Sequence, residues 1–251
     1  MNTLASEKGY SILEVLISAA LGTLVLAGAF DVYVTSTKGL IGQANIVQMQ
    51  ADTKAAVDLM AAEFRMAYTG NDNTPASAIV NSTTLKFYRT KESGIATGGT
   101  TTTLIDGSKN WPTNKFASTS AGTYFLWIKS GTGTQASPVT IQNNNGTTLN
   151  LASALAVAPS IDSLYFIVRQ QTFTLLSEDP NDLTNLTLRH LITGSASHIL
   201  ARNVTQLVFD QSLPCTATSV CITLSTRSQK KDPRTGKYRT YTLTSSATPR
   251  N

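Results

Sequence analysis

Lys8-Gly9-Tyr10-Ser11-Ile12-Leu13-Glu14 is followed by a run from Val15 to Phe30 that carries no charged side chain. Tyr10 to Phe30 is 21 residues, which as a helix rising about 1.5 Å per residue spans roughly 30 Å, the thickness of a bilayer's hydrocarbon core. The stretch is read as a transmembrane helix over 10–34, with Glu14 near its head as the one carboxylate between Tyr10 and Phe30, and Asp31 near its other end. A carboxylate at mid-bilayer costs on the order of 2.5–3.5 kcal/mol, so Glu14 is read as functional and in need of a cation.

The helical register continues beyond Phe30. Asp31, Lys38, Asp52, Lys54, Asp58, Glu63 and Arg65 are interleaved with apolar positions, and no proline precedes Pro75. One helix from about Ser11 to Ala67 is expected, amphipathic over 35–68. Its clearest stripe is Val57, Met60, Phe64 and Ala67, spaced as one helical face that packs on the following domain. Thr69-Gly70-Asn71-Asp72-Asn73-Thr74-Pro75 holds most helix-stopping residue types and ends the helix.

The heptapeptide at 8–14 resembles the cleavage and methylation motif of type IV prepilins and of the pseudopilins of type II secretion. The resemblance implies a leader over 1–9, removed by a prepilin peptidase between Gly9 and Tyr10, and N-methylation of Tyr10. It also makes Glu14, five residues into the mature chain, the assembly residue. Tyr10 stands where the family usually has phenylalanine, and Glu7 beside Lys8 leaves the leader weakly basic. An α-amino group keeps its charge on methylation. At about 4 Å and an effective dielectric near 20 it attracts a carboxylate by about 4 kcal/mol, comparable with the burial cost. Docking Glu14 beside a neighbour's Tyr10 amine would relieve that cost and set the stagger between subunits. The Pro249-Arg250-Asn251 tail, the Arg202-Asn203-Val204 segment and the helix from Gln50 to Tyr68 further resemble the PilW-type branch of minor pilins.

The fold implied is α+β and pilin-like: a long N-terminal helix, transmembrane and then amphipathic, on a β-rich globular domain over 69–251 with a β insertion at 97–168. The partners implied are other pilin subunits through the helix, the peptidase, inner-membrane assembly machinery, and the membrane itself before assembly. The expected location is the inner membrane for precursor and free subunit, with the globular domain outside the cytoplasm, then the filament. The function implied is a minor pilus subunit that initiates, caps or decorates the filament. A pseudopilin of a type II secretion system is the main alternative. Two others come from the same stretch. Val15 to Leu26 could be the core of an ordinary secretory signal cleaved after Ala27-Gly28-Ala29, leaving an exported β domain, or the helix could be an uncleaved anchor.

Of the 251 residues, 41% are hydrophobic and 14% charged, with a formal net charge of +5. A charge so small does not by itself imply nucleic acid. Short apolar runs between turn clusters predict strands: Ser82–Thr90, Tyr124–Ile128, Val139–Ile141, Leu149–Leu151, Leu164–Val168, Thr187–Thr193 and Ala201–Phe209. A hairpin of Val220–Arg227 and Lys237–Thr244 turns through Asp232-Pro233-Arg234-Thr235-Gly236. The threonine-rich run from Thr97 to Thr103 leads into the insertion. The segment from Thr103 to Val168 resembles small β modules of bacterial surface proteins in which an aspartate, a lysine and a tryptophan recur, a resemblance that assigns no activity. Trp111, Phe116 and Trp127 are read as core or rim aromatics, with a glycan contact as the alternative for any that are exposed.

Cys215 and Cys221 are the only cysteines, and in a domain delivered outside the cytoplasm they are read as a disulfide stapling the final hairpin. No metal is expected there, because His190 and His198 are not spaced to complete a zinc site. Glu178, Asp179, Asp182 and Asn185 form an oxygen-rich cluster without calcium-loop spacing, read as a solvated turn. The hairpin carries Arg227, Lys230, Lys231, Arg234, Lys237 and Arg239 against Asp232, interleaved with Tyr238 and Tyr241. Basic and aromatic together raise a second function, DNA capture for uptake by a minor pilin, against a charge-guarded edge strand. No catalytic motif, phosphate-cradling loop or cofactor signature stands out, so no enzyme and no cofactor are expected.

Overall fold

Ser11 caps a single 54-residue helix, α1 (Ile12–Arg65), in the computed structural model of the protein. The structure describes residues 11–68, 77–117, 123–130, 133–134, 138–178, 186–211, 215 and 219–249. At about 1.5 Å per residue α1 is roughly 81 Å long. It ends at Met66, whose N–H turns back to Glu63 O, and Ala67 then bridges to Arg89. The expected helix-stopping run over 69–75 lies outside the described residues.

Thirteen strands follow among the described residues: β1 (Ser77–Asn81), β2 (Thr84–Ile95), β3 (Gly98–Thr100), β4 (Thr103–Ile105), β5 (Tyr124–Ser130), β6 (Gly133–Thr134) and β7 (Val139–Asn145). The rest are β8 (Thr148–Leu151), β9 (Leu164–Ser177), β10 (Leu186–Ile192), β11 (His198–Asp210), β12 (Val220–Arg227) and β13 (Thr240–Ala247). With β1 beside β2 and β6 beside β5, they form a sheet ordered β13-β12-β11-β10-β9-β5-β7-β8-β4-β3. Every pairing is antiparallel. The α+β class follows directly.

β9 is the seam. One of its edges pairs with β2. Its other edge pairs with β5 over its first half and with β10 over its second. Each half faces its own core. The first core lies between α1 and the β10–β13 side, where Val57, Met60 and Phe64 are fully buried against Leu85, Phe87, Phe173, Leu188 and Ile222. Phe64 meets Phe87 edge-on at 5.8 Å, and Phe87 stacks on Phe173 at 5.4 Å. Helical spacing brings the stripe onto the sheet because side chains three and four apart share a face. Arg89 of β2 donates to both carboxylate oxygens of Glu63, at 3.1 and 2.8 Å, tying the last helical turn to the sheet.

The second core contains no α1 residue. Leu126, Ile128, Tyr165 and Ile167 face Leu104, Trp111, Phe116, Ile141 and Leu149 across the folded-over β3-β4-β8-β7 strands. This module occupies the insertion and stands beyond the C-terminal end of α1, since Ala67 and Tyr68 pair with Arg89 and Tyr88 and β2 then runs on to Ile95.

Several boundaries differ from the sequence reading, and β9 runs on to Ser177 instead of ending at Val168 because β10 pairs with its second half. The first strand runs on to Ile95 because β9 pairs with it throughout, past a bulge between Thr90 and Glu92. Thr97–Thr103 is part of a tight hairpin, with Thr100 opposite Thr103 at the sheet edge. The last strand starts at Thr240 instead of Lys237, because Ser228 and Arg239 close the loop: Ser228 N–H donates to Arg239 O, and Arg239 N–H to Ser228 Oγ. Gly236 at φ +66° completes the turn inside that closure.

Candidate functional site: the unburied half of the long helix

From Ile12 to Gln48 no residue of α1 is buried, and the first buried side chain is Met49. Ile12 is 81% exposed, Leu24 72% and Phe30 68%. These 37 residues, about 55 Å of helix, present aliphatic side chains in all directions over their first half. Exposed apolar surface costs about 25 cal/mol per Å² in water, so a continuous sleeve of it marks a surface covered by lipid or by other helices. The helix is long and apolar enough to cross a membrane.

Glu14 lies in the first turn of this helix, third after the cap. Ser11 Oγ accepts from Leu13 N–H at 3.3 Å, and Ser11 O accepts from Glu14 N–H at 2.9 Å. Ser11-Ile12-Leu13-Glu14 thus has the S-x-x-E order of a capping box, and a carboxylate here faces the positive end of the helix dipole. The sequence reading passed over Ser11, although that four-residue pattern signals it. No cation among the described residues forms an ion pair with Glu14. Gly9 and Tyr10, the predicted cleavage and methylation positions, lie outside the described residues.

The Cys215–Cys221 disulfide is present, with Cα atoms 5.7 Å apart. It ties the chain entering the final hairpin to the second residue of β12. At the hairpin's other end Lys230, Lys231, Arg234, Lys237 and Arg239 are all exposed, and Arg227 is half-buried. Asp232 Oδ1 accepts from Arg234 N–H at 2.8 Å, and Oδ2 accepts from Arg239 at 2.8 Å. Those donors, the Arg234 backbone first, hold the Asp232 carboxyl below its ordinary range. Arg227 and Lys231 lie over the Tyr238 ring, at 4.8 and 5.7 Å, while Tyr241 is half-buried on β13.

The remaining candidates resolve into structural roles. Trp111, Phe116 and Trp127 are buried, so none offers an exposed ring to a glycan. The aspartate, lysine and tryptophan of the module fall in two adjoining clusters, around Asp106 and around Glu92, linked by the Lys109 N–H to Asp106 O bond and by the edge-on Trp111 and Tyr165 rings. Buried Asp106 accepts from Ser108 Oγ at 2.6 Å and from Tyr165 Oη at 2.7 Å; Trp111 Nε1 donates to Glu92 at 2.7 Å, and Lys109 and Lys115 pair with Glu92. Burial raises the Asp106 carboxyl, but the hydrogen bonds from Ser108 and Tyr165 and the charge of Lys109 outweigh it and leave it lowered. Glu178 pairs with Arg202 at 2.6 Å; Asp179, Asp182 and Asn185 of the oxygen-rich cluster lie outside the described residues. His190 is buried, bonded through Nε2 to Gln171 at 2.8 Å, and lowered by burial. Among the described residues no three His, Cys, Asp or Glu side chains converge as a metal site. A cleft of about 380 Å³ opens where α1 meets β11 and β12, between Asp52, Met49, Arg202 and Arg227.

No family model, curated protein or solved structure matches the chain.

Proposed function

We propose that the protein is a type IV pilin-like subunit of the minor, PilW-type kind, held in the inner membrane by α1 and assembled into a filament by bundling of its helices. The work is structural, not catalytic. The observation that carries the reading is a charge-free apolar sleeve, unburied by its own domain, preceded by Lys8-Gly9-Tyr10-Ser11-Ile12-Leu13-Glu14. Prepilin peptidase would cut between Gly9 and Tyr10, and the methylated Tyr10 amine of one subunit would pair with Glu14 of its neighbour. Glu14 has no competing cation among the described residues and is exposed at the helix head, where such a pair can form. The β module beyond the other end of α1 makes a bulky subunit, which favours a sparse place in the filament over its repeating lattice.

Glu14→Ala tests the pair in the native host. The variant should fractionate with the membrane as before and be lost from sheared filaments. Undiminished incorporation would refute the pairing.

A further inference from the structure

The hairpin of β12 and β13 runs down α1 toward its N-terminus. Thr226 near the end of β12 shares a 2.6 Å hydroxyl contact with Thr53. Beyond it, Pro233 at the tip of the turn faces Gly42, where a Cβ would lie 3.8 Å from Pro233 Cδ. Gly42 is the helix position that the turn packs over.

We propose that this basic turn docks on anionic phospholipid headgroups of the same bilayer that holds α1, fixing the height and tilt of the free subunit's domain. The proposal rests on the reading of α1 as a membrane span with the globular domain outside. If the span ends at 34, Gly42 stands eight residues, about 12 Å, above the hydrocarbon edge. Headgroups fill roughly 5–8 Å of that distance. The remaining gap of about 4–7 Å is within reach of a lysine or arginine stem and inside the Debye length of about 8 Å. Between Arg227 and Arg239 there are six basic residues and one acid, a balance of +5, and Arg239 already engages the one acid, Asp232. Lys230, Lys231, Arg234 and Lys237 are exposed and take no salt bridge among the described residues. Tyr238, 42% exposed beside them, is the amphipathic ring that suits an interface. On α1 itself Asp31 lies three residues inside the end of the span, and Lys38 stands four residues beyond it. Duplex DNA would be drawn by the same charges, but the turn's place beside the helix span favours lipid.

The test uses the full chain reconstituted into vesicles of phosphatidylcholine alone or mixed with phosphatidylglycerol. Trypsin cleavage after Lys230, Lys231, Arg234 and Lys237 is followed by mass spectrometry, with cleavage after exposed Lys115 in the distant module as reference. Cleavage in the turn should slow by about 5-fold or more in the anionic vesicles, the attraction of a single basic side chain to such a surface. The protection should vanish in 1 M salt, where the Debye length is about 3 Å. In Lys230→Gln/Lys231→Gln/Arg234→Gln, cleavage after Lys237 should no longer differ between the two vesicles. Equal cleavage of the native turn in both would overturn the proposal while leaving the span intact. Protection by duplex DNA in neutral vesicles, with none from phosphatidylglycerol, would overturn it in favour of nucleic acid. A chain that fails to float with either vesicle would remove the span and the docking together.

Discussion

Phe64→Ala probes the contact that holds the helix to its domain. Phe64 is fully buried, edge-on to Phe87, which in turn stacks on Phe173. Truncating a buried phenylalanine costs about 3–5 kcal/mol, from lost transfer energy and the cavity left behind. For a chain of this size each kcal/mol shifts Tm by roughly 2–4 °C, so the melt of the detergent-solubilised full chain should move down by about 6–20 °C. Leu59 on the same helix provides the control, since it is 41% exposed and its replacement by alanine should stay within about 0.5 kcal/mol. Circular dichroism melts of the three proteins in one detergent give the comparison. Equal shifts for Phe64→Ala and Leu59→Ala would refute the packing of α1 on the sheet, whatever becomes of the functional proposal.

Tyr165→Phe removes one donor from the buried Asp106 carboxylate and should cost about 1–3 kcal/mol, read as a lowered denaturation midpoint at pH 7. Because the Asp106 and Glu92 carboxyls are held below their ordinary values, their stabilisation is complete only above about pH 5, clear of both unfolded values. It fades as the pH falls through the lowered values, and Asp106→Asn should flatten that acid limb. A native limb as flat as the variant's would contradict the bonding around Asp106. Gly94→Ala should disrupt the same site, since a Cβ there would come within 2.6 Å of Asp106 Oδ2 and closer still to Tyr165 Oη; unchanged tryptic resistance of the module would refute that crowding. Reducing Cys215–Cys221, which encloses five residues, should lower stability by roughly 2 kcal/mol without unfolding the chain, as measured by urea midpoints with and without reductant.

The helix was legible because its two signals are local: a charge-free run of membrane length, and the Val57-Met60-Phe64 spacing that continues in register behind it. The bounds of β12 were legible for the same reason, since Val220–Arg227 is a continuous run of strand-forming residues. What the sequence hid is long-range. Tyr88 alternates with Phe87 along β2, so the two rings take opposite faces, and Tyr88 meets Phe125 and Trp127 edge-on, at 5.6 and 6.1 Å. Only the pairing of both β2 and β5 with β9 brings those rings onto one face. Glu92 shows no motif, and its role exists because Trp111, 19 residues later, returns its indole N–H to it. The basic residues of the turn were visible as a charge run. Their place beside Gly42 needed the Pro233 contact, which the sequence reading, weighing a charge-guarded edge strand against DNA capture, had no means to supply.

The mass of the mature N-terminal peptide, from protein purified from its native host, bears most directly on the pilin-like reading. A peptide beginning at Tyr10 and carrying one added methyl group is the result predicted. A peptide beginning at Phe30, which would mean that Glu14 had been discarded with an ordinary signal sequence, or an intact N-terminus at Met1, would contradict it.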